Sequence, residues 1–344
     1  MNKKIAVLGA GAIGSSVGAD LTKAGYDVVI IDQWPAHIEA MKADGLRVVM
    51  PGEELHTPVR AYHLCDVCTL NQRFDIVLLG AKSYDTRWMA EFIKPYLKPD
   101  GVLVGMQNGM NDESLASIVG VSRVVGCVVE LSAEVFTPGI VQRNMTGRQT
   151  WFALGELHGR ITPRLKELEK IMSSATKVSL TTNIWGAKWT KLVNSSMILA
   201  PFGILGLQSW QATEIPEVVK LCVRLGRETM AVGAAHGYTI EPIFGLSAEA
   251  FAVSTDEILE KLLRAILTQQ GKNARKARGV VLEDFLKRRA SETDYLSGLV
   301  VKKGKAANVP TPANEAITQI SRQIQLGVLK PDRSNLALVE KLIQ

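Results

Sequence analysis

Apolar residues in the first half of the chain fall in short continuous runs, separated by segments with helical spacing. Runs that predict buried strands are Lys4–Leu8, Val28–Ile31, Phe74–Leu79, Val102–Met106 and Val124–Val129. Helical spacing lies after the first run, over 35–44, over 86–97 and over 162–173. Shorter strands are expected around 46–50 and 59–61, and antiparallel strands over 140–154 are expected to finish the sheet. This alternation predicts an α/β fold with a doubly wound, mostly parallel sheet.

The pattern changes in the second half. Beyond about Asn183 the apolar spacing becomes that of helices, and strand-like runs cease. Helices are predicted over 183–199, 215–236, 247–269, 280–303 and 312–326. We therefore expect two domains: an α/β domain over 1–182 and an all-α domain over 183–344.

The most specific local pattern lies in the first 32 residues. The first strand runs into Gly9-Ala10-Gly11-Ala12-Ile13-Gly14, a helix follows, and the second strand ends in Asp32. In a Rossmann domain the first glycine makes a tight turn, the second admits a pyrophosphate and the third lets helix and strand pack closely. The helix N-terminus adds favourable charge for a phosphate. A glycine-rich structural turn is the alternative, but the surrounding strand, helix and acid favour a dinucleotide site.

Asp32 predicts NAD(H) rather than NADP(H). A carboxylate at the end of the second strand accepts hydrogen bonds from ribose hydroxyls and repels a 2′-phosphate. The next residue, Gln33, supplies no positive charge that would offset this repulsion. In the competing interpretation, Asp32 only caps the following helix.

Composition narrows the functional classes. The formal charge of +6 is modest, and no aromatic residues interleave the basic clusters, so nucleic-acid binding is not expected. The longest uncharged stretch, Leu192–Thr213, contains Pro201 and two glycines, which indicates a buried helix and a bend rather than a membrane span. Because the first strand begins at residue 4, no targeting segment is expected before it, and a cytoplasmic location follows.

Four cysteines do not make a disulfide framework in a chain of 344 residues. Cys65 and Cys68, with His63 beside them, lack the second ligand pair that structural zinc requires. We therefore expect no metal site. The five histidines lie in helix-surface or loop contexts, so none is expected to act as an acid or base; they are His37, His56, His63, His158 and His236.

Two charged residues of the second half lie on helix faces that should be apolar. Lys191 shares its face with Ile184, Ala187, Asn194 and Ser195, at helical spacing. Glu292 shares a stripe with apolar residues of the predicted 280–303 helix. Charges on inward faces are costly unless they are paired or functional. Periodicity alone leaves both a snorkelling Lys191 and a structural ion pair at Glu292 open.

Six motifs in order resemble the ketopantoate reductase (2-dehydropantoate 2-reductase) family nearly end to end. They are the glycine-rich segment 7–14, Ala81-Lys82-Ser83-Tyr84, Gln107-Asn108-Gly109-Met110, Thr137-Pro138-Gly139, Trp189-Thr190-Lys191-Leu192 and 291–298. The resemblance implies a Rossmann domain joined to a helical domain, with the active site in the cleft between them. It implies that Lys191 donates the proton, that Glu292 helps to hold cofactor and lysine, that Asn108 orients nicotinamide ribose or substrate, and that Lys82 lies beside the cofactor.

The chain departs from the family pattern where the family contacts its ligands. The family's asparagines four and eight residues after the lysine fall at Ser195 and Leu199, although Asn194 lies one residue early on nearly the same face. The family's substrate-binding serine falls at Val280, and its arginine for a 2′-phosphate falls at Gln33. Asn194 and Ser195 could therefore contact a substrate carboxylate or carbonyl, while Leu199 and Val280 cannot hydrogen-bond through their side chains.

These observations predict an NAD-dependent oxidoreductase that interconverts a small 2-oxo acid and a 2-hydroxy acid. The substrate's far end is expected to be more apolar than that of ketopantoate. Two alternatives stay open: an authentic ketopantoate reductase with altered contacts, and a non-enzymatic NAD(H)-sensing protein. A helical second domain commonly offers a dimer face, so a homodimer is also among the expectations.

Overall fold

The computed structural model describes residues 3–147, 149–243, 245–269 and 278–344. The chain divides into two units, which are described separately. The N-terminal unit comprises Met1–Gln107 and Asn111–Ile184, and the helical unit comprises Asn108–Met110 and Trp185–Gln344.

The described part of the N-terminal unit has twelve strands. They are β1 (Lys4–Leu8), β2 (Asp27–Asp32), β3 (Leu46–Met50), β4 (Glu53–Thr57), β5 (Ala61–His63), β6 (Phe74–Leu79), β7 (Leu97–Gly105), β8 (Val124–Glu130), β9 (Ala133–Thr137), β10 (Ile140–Arg143), β11 (Trp151–Glu156) and β12 (Lys177–Leu180). Eight form the main sheet, in the order β12-β11-β8-β7-β6-β1-β2-β5. Its pairs are parallel apart from β8 with β11, which confirms the expected mostly parallel α/β fold.

The helices of this unit lie between its strands along the chain. They are α1 (Ala12–Lys23), α2 (Pro35–Asp44), α3 (Thr86–Ile93), α4 (Asp112–Val119) and α5 (Pro163–Met172). Short 3-10 turns occupy Leu64–Thr69, Ser83–Asp85, Lys94–Tyr96 and Val121–Arg123. Because β1, β2, β6 and β7 run parallel, their carboxyl ends meet at one edge, where ligands of open α/β sheets bind.

The strand positions correct two expectations. A second sheet has four strands in the order β4-β3-β10-β9 and packs on α1. The strands expected over 140–154 therefore do not all finish the main sheet, because β10 pairs with β3 and only β11 joins β8. The 59–61 strand lies at Ala61–His63 instead. Such pairings join distant segments, so hydrophobic spacing within one segment cannot specify them.

The helical unit contains α6 (Ile184–Ile204), α7 (Ser209–Thr213), α8 (Pro216–Ala235), α9 (Ala248–Val253), α10 (Asp256–Gln269), α11 (Val280–Leu286), α12 (Ser297–Ala307), α13 (Pro312–Gln325) and α14 (Asn335–Ile343). The prediction of one continuous helix over 280–303 is wrong. Arg288 has a left-handed φ of 52°, and a 3-10 turn, Glu292–Tyr295, separates α11 from α12. Ser291 caps that turn by accepting the Thr293 N–H at 3.1 Å, so it starts a new element.

Trp189 fixes the rotation of α6. Its side chain is fully buried, its Nε1 donates to the Thr229 carbonyl of α8 at 3.0 Å, and its ring stacks on Tyr238 with centroids 4.8 Å apart. This anchor sets which face of α6 carries the polar residues that follow. Within the described ranges, no helix combines the length and hydrophobicity that crossing a membrane requires.

Candidate functional site

The glycine-rich loop joins β1 to α1 at the carboxyl edge of the main sheet. Gly9 has a φ of +93°, and its N–H donates to the Ile31 carbonyl at 2.8 Å. A Cβ added at Gly9 would lie 2.6 Å from the Ala81 nitrogen. A Cβ added at Gly14 would lie only 2.0 Å from the Gly9 carbonyl oxygen. Both glycines are therefore required by the close approach of protein backbone.

Gly11 differs from its two neighbours in the motif. It is the N-cap residue of α1, and a Cβ added there would meet only the Gly80 oxygen, at 3.9 Å. The fold itself leaves space at Gly11, so protein packing does not explain its missing side chain. Space beside exposed helix N–H groups fits a pyrophosphate. The loop that contains Ala10, with Ala12 and Ile13 opening α1, thus has the form expected of a dinucleotide cradle.

Asp32 is buried at the end of β2, beside this loop. Its Oδ2 accepts the Ala10 N–H at 2.6 Å, and its Oδ1 accepts the Trp34 N–H at 2.7 Å. The N-cap residue of α2 is Trp34, whose side chain makes no capping hydrogen bond. Asp32 is therefore not the helix cap considered from the sequence. It fixes the glycine-rich loop by accepting the Ala10 N–H.

Gln33 lies exposed next to Asp32 and contacts a second acid. Its Nε2 donates to Asp85 Oδ2 at 3.1 Å, and Trp88 Nε1 donates to Asp85 Oδ1 at 2.7 Å. Asp85 belongs to the 3-10 turn that follows Lys82. The position where the family carries an arginine thus lies beside two carboxylates.

Two further predicted residues are placed by neighbouring strand ends. Lys82, half-buried, is the N-cap of the Ser83–Asp85 turn after β6, and Ala81 before it contacts the Gly9 position. Lys82 therefore lies at the same edge as the glycine-rich loop. Asn108, also half-buried, follows Gln107, whose Nε2 donates to Thr86 Oγ1 at 2.5 Å. Asn108 belongs to the helical unit, although it directly follows the last residue of an N-terminal-unit segment.

His37 is not on a helix surface, as the sequence suggested, but is fully buried. Burial lowers the pKa of His37 to about 4, and a hydrogen bond at the Ala10 backbone opposes this only in part. Its ring stacks on Trp34 with centroids 5.3 Å apart. His37, Ile38 and Met41 form the buried face of α2. Their spacing was the available signal, because it places His37 and Met41 one helical turn apart.

The cysteine pair lies at the surface. Cys65 and Cys68 are both exposed free thiols on the Leu64–Thr69 turn. Across the described residues, no group of three or more histidine, cysteine, aspartate or glutamate side chains is arranged to hold a metal ion.

The polar face of α6 carries the predicted acid/base. Lys191 is half-buried there, two residues after the Trp189 anchor. One turn earlier, Lys188 is only 3% exposed, which makes it the more deeply buried lysine. Lys188 is not among the residues predicted from the sequence, although the same periodicity places it with Ile184 and Leu192.

Asn194 and Ser195 follow Lys191 by three and four residues, and the structure distinguishes them. Ser195 is 1% exposed, and its hydroxyl donates to the Lys191 carbonyl at 2.9 Å, so its proton is used within the helix. Asn194 Oδ1 is shielded from solvent and has no hydrogen-bond partner among the residues that the structure describes. A buried acceptor without a donor is costly, so Asn194 is the better placed of the two to accept a hydrogen bond from a ligand.

Leu199 lies close to the backbone that leads into Val280. A Cβ added at Gly279, the residue before Val280, would lie 3.5 Å from Leu199 Cδ2. Both side chains are partly exposed and pack on the core of the helical unit. Glu292 is 3% exposed at the start of its 3-10 turn in the same unit. Its pairing with Lys191 stays a prediction.

Comparison with known families covers both units. A model described as ketopantoate reductase PanE/ApbA matches residues 5–158, and a model of the C-terminal part of the same family matches residues 183–325. The chain belongs to the ketopantoate reductase family. This confirms the family expected from the six motifs. The family comprises oxidoreductases that act on CH–OH groups with a nicotinamide cofactor.

Individual relatives are distant but extend over nearly the whole chain. A 2-dehydropantoate 2-reductase of Mesorhizobium japonicum is 26% identical, covering 93% of this chain and 97% of the relative. One of Pyrococcus horikoshii is 26% identical, with 90% and 94% covered. A ketopantoate reductase structure from Ralstonia eutropha JMP134 is 26% identical with a TM-score of 0.78, covering 94% and 99%. D-mandelate dehydrogenase in complex with NADH and anilino(oxo)acetate shares the fold, with 20% identity, a TM-score of 0.82 and 94% and 99% covered.

Proposed function

We propose that this protein is an NAD-dependent oxidoreductase that interconverts a 2-oxo acid and a 2-hydroxy acid, with Lys191 as general acid and base. Residues 1–182 would bind the dinucleotide, and residues 183–344 would supply the groups that act on the substrate. The observation that carries the proposal is the space left at Gly11 beside a buried, anchored Asp32. Family membership supports the reaction class.

The preference for NAD(H) follows from charge. A 2′-phosphate beside Asp32 would add negative charge next to that carboxylate and next to Gln33, whose neutral amide binds the second carboxylate, Asp85. The repulsion between like charges in neighbouring groups is a few kcal/mol at an intermediate dielectric constant, and it weakens NADPH binding on the order of 100-fold. The ribose hydroxyls of NAD(H) instead donate hydrogen bonds to a carboxylate.

The cofactor test compares kcat/KM with NADH and NADPH in the wild type and in a Gln33→Arg, Asp85→Asn double variant. The pair adds a cation and removes one carboxylate while keeping Asp32, which also fixes the loop. We expect the wild type to prefer NADH and the double variant to shift toward NADPH. Equal or better turnover of NADPH by the wild type would contradict the proposed preference.

When bound, the nicotinamide would supply or accept the hydride at the substrate carbon. Reduction leaves negative charge on the substrate oxygen, so a proton donor within hydrogen-bond reach is needed. We assign that role to Lys191, whose ammonium can give its proton to the oxygen and recover it in the reverse direction. Glu292 would hold the ammonium and a cofactor hydroxyl, Asn108 would orient substrate or ribose, and Lys82 would lie beside the cofactor.

Replacing Lys191 by methionine tests this assignment, because methionine keeps much of the side-chain volume and removes the proton donor. We expect kcat to fall by about 10²–10⁴-fold while NADH binding is retained. Lys302→Met, at an exposed position of α12, is the matched control and should keep wild-type kcat. A folded Lys191→Met variant with near-normal kcat would reduce Lys191 to a snorkelling residue.

The proposed substrate class follows from the apolar side chains of Leu199 and Val280, which pack on the core of the helical unit. Burying a terminal hydroxyl against these side chains would cost its hydration without a replacement hydrogen bond. We therefore propose a branched aliphatic or aromatic 2-oxo acid, tested by comparing 2-oxoisovalerate and phenylpyruvate with ketopantoate. A clear preference for ketopantoate would favour an authentic 2-dehydropantoate 2-reductase, the activity named for several relatives. Binding of NADH without turnover of any 2-oxo acid would favour the sensor. A homodimer stays a prediction, to be checked by light scattering.

A further inference from the structure

Ala10, at the centre of the glycine-rich loop, has both of its backbone polar groups bound to side chains. Its N–H donates to Asp32 Oδ2 at 2.6 Å, and its carbonyl accepts the Ser15 hydroxyl at 2.8 Å. Ser15 and Asp32 come from different elements, α1 and β2, and both are buried. The loop is thus held by two side chains that its glycine motif does not include.

Ser15 is in turn part of a buried hydrogen-bonded chain. The Gly139 N–H donates to His37 Nδ1 at 2.8 Å, so the neutral ring carries its proton on Nε2. His37 Nε2 lies 3.1 Å from Ser15 Oγ and donates to it, which leaves the Ser15 proton for the Ala10 carbonyl. The chain therefore runs Gly139, His37, Ser15, Ala10. It also accounts for the Thr137-Pro138-Gly139 motif, whose glycine has a φ of +76° and directs its N–H at the histidine.

The geometry of the peptide bond connects this chain to the ligand site. In a trans peptide the carbonyl of one residue and the N–H of the next point in opposite directions. Because the Ala10 carbonyl is turned toward Ser15, the N–H of Gly11 is turned away from Ser15. That N–H belongs to the residue whose missing side chain leaves open space in the fold.

We propose that Ser15 and His37 are positioning residues for dinucleotide binding, which orient the Gly11 N–H toward the pyrophosphate by fixing the Ala10 peptide. This inference rests on the proposed dinucleotide function. Neither side chain is assigned contact with the ligand. Their effect is on affinity, because a peptide held in one orientation loses less conformational freedom when the anion binds.

Ser15→Ala is the first variant, because alanine suits a helix and removes only the hydroxyl. We expect the Kd of whichever reduced cofactor, NADH or NADPH, binds more tightly to rise about fivefold, which is the net contribution of one hydrogen bond converted to affinity. At saturating cofactor, kcat should stay within about twofold of wild type. Thr22→Val is the matched control: Thr22 donates to the Gly18 carbonyl at 2.7 Å in the same helix, away from the loop.

Two substitutions at His37 separate positioning from structural support. Asparagine places a polar atom near Nδ1 and can accept the Gly139 N–H, but it does not reach Ser15. Glutamine reaches the position of Nε2 and can donate to Ser15, but it loses the acceptor for Gly139. Positioning predicts that His37→Asn raises Kd more than His37→Gln does, whichever variant unfolds at lower urea concentration.

Fluorescence titration of the full chain with each reduced cofactor gives every Kd. Raised Kd in Ser15→Ala, wild-type Kd in Thr22→Val and the stated order of the His37 variants would support the proposal. Equal Kd for Ser15→Ala and wild type would overturn it, as would Kd values that simply follow the loss of stability. If the wild type binds neither NADH nor NADPH, the proposed function fails first, and that outcome is distinguished before any variant is compared.

Discussion

His37 should make the protein acid-sensitive in a range where ordinary surface histidines do not. Its contacts are with neutral groups: the Trp34 ring, the Ser15 hydroxyl, the Gly139 N–H and the Ala10 backbone. Burial lowers the pKa of His37 to about 4 in the folded chain, against 6.5 as its ordinary value. Between these two pH values the unfolded chain binds a proton that the folded chain does not. The free energy of unfolding must therefore fall as the pH is lowered through this range.

The magnitude of this loss in unfolding free energy follows from the size of the pKa shift of His37. A pKa difference of this size corresponds to about 3 kcal/mol, at 1.36 kcal/mol for each unit. The stabilising contribution is complete above pH 6.5, declines as the pH falls and is lost at about pH 4. For a protein of ordinary stability, 5–15 kcal/mol, this is a large fraction of the total.

The assay is urea unfolding of the wild type and His37→Gln at a series of pH values from 7 to 4. Carboxyl groups whose pKa is lowered by ion pairs, such as Asp75 and Glu156, also destabilise the protein in acid. They are present in both proteins, so the difference between the two curves isolates the histidine. We expect the wild type to lose about 3 kcal/mol more than the variant over this range. Parallel curves would refute the reasoning.

Two further predictions concern packing. Asp20→Asn should lower the free energy of unfolding by about 3–5 kcal/mol, because it leaves the buried Arg143, whose Nη2 lies 2.6 Å from Asp20 Oδ2, without its partner charge. The control, Glu315→Gln, breaks an exposed ion pair with Lys305 and should cost less than about 1 kcal/mol. Similar losses for the two variants in urea unfolding would contradict this prediction. Gly14→Ala should destabilise the N-terminal unit by about 1–3 kcal/mol and weaken dinucleotide binding, because the new Cβ would overlap the Gly9 carbonyl. Gly147→Ala, where a Cβ meets nothing within 4 Å, is the control for calorimetry and titration.

Sequence spacing predicted the features that are local. Gly9 and Gly14 are required by backbone contacts within one strand–loop–helix unit, and Asp32 lies at the end of β2, as a single strand pattern indicates. The helix predicted over 215–236 corresponds to α8, because its apolar face repeats without interruption. These features depend on the order of neighbouring residues alone.

Features that depend on partners from distant segments were not predictable in this way. The burial of His37 becomes evident only when Gly139, about a hundred residues later, supplies the donor for Nδ1. The second sheet pairs β3 with β10 across a similar separation. The break before Glu292 is different, since Ser291 followed by acidic residues is a recognisable helix start that the longer periodic stripe concealed.

The contacts around Ala10 indicate why a glycine motif by itself is a weak predictor of affinity. Glycines make an anion cradle sterically possible, but they also leave the loop more conformational freedom than other residues would. Here buried side chains from β2 and α1 fix one peptide in that loop, and His37 and Gly139 fix the α1 side chain in turn. Two chains with the same glycines can therefore differ in affinity through residues outside the motif. Measured affinities of this family should accordingly be compared with the hydrogen-bond partners of the residue between the first two glycines.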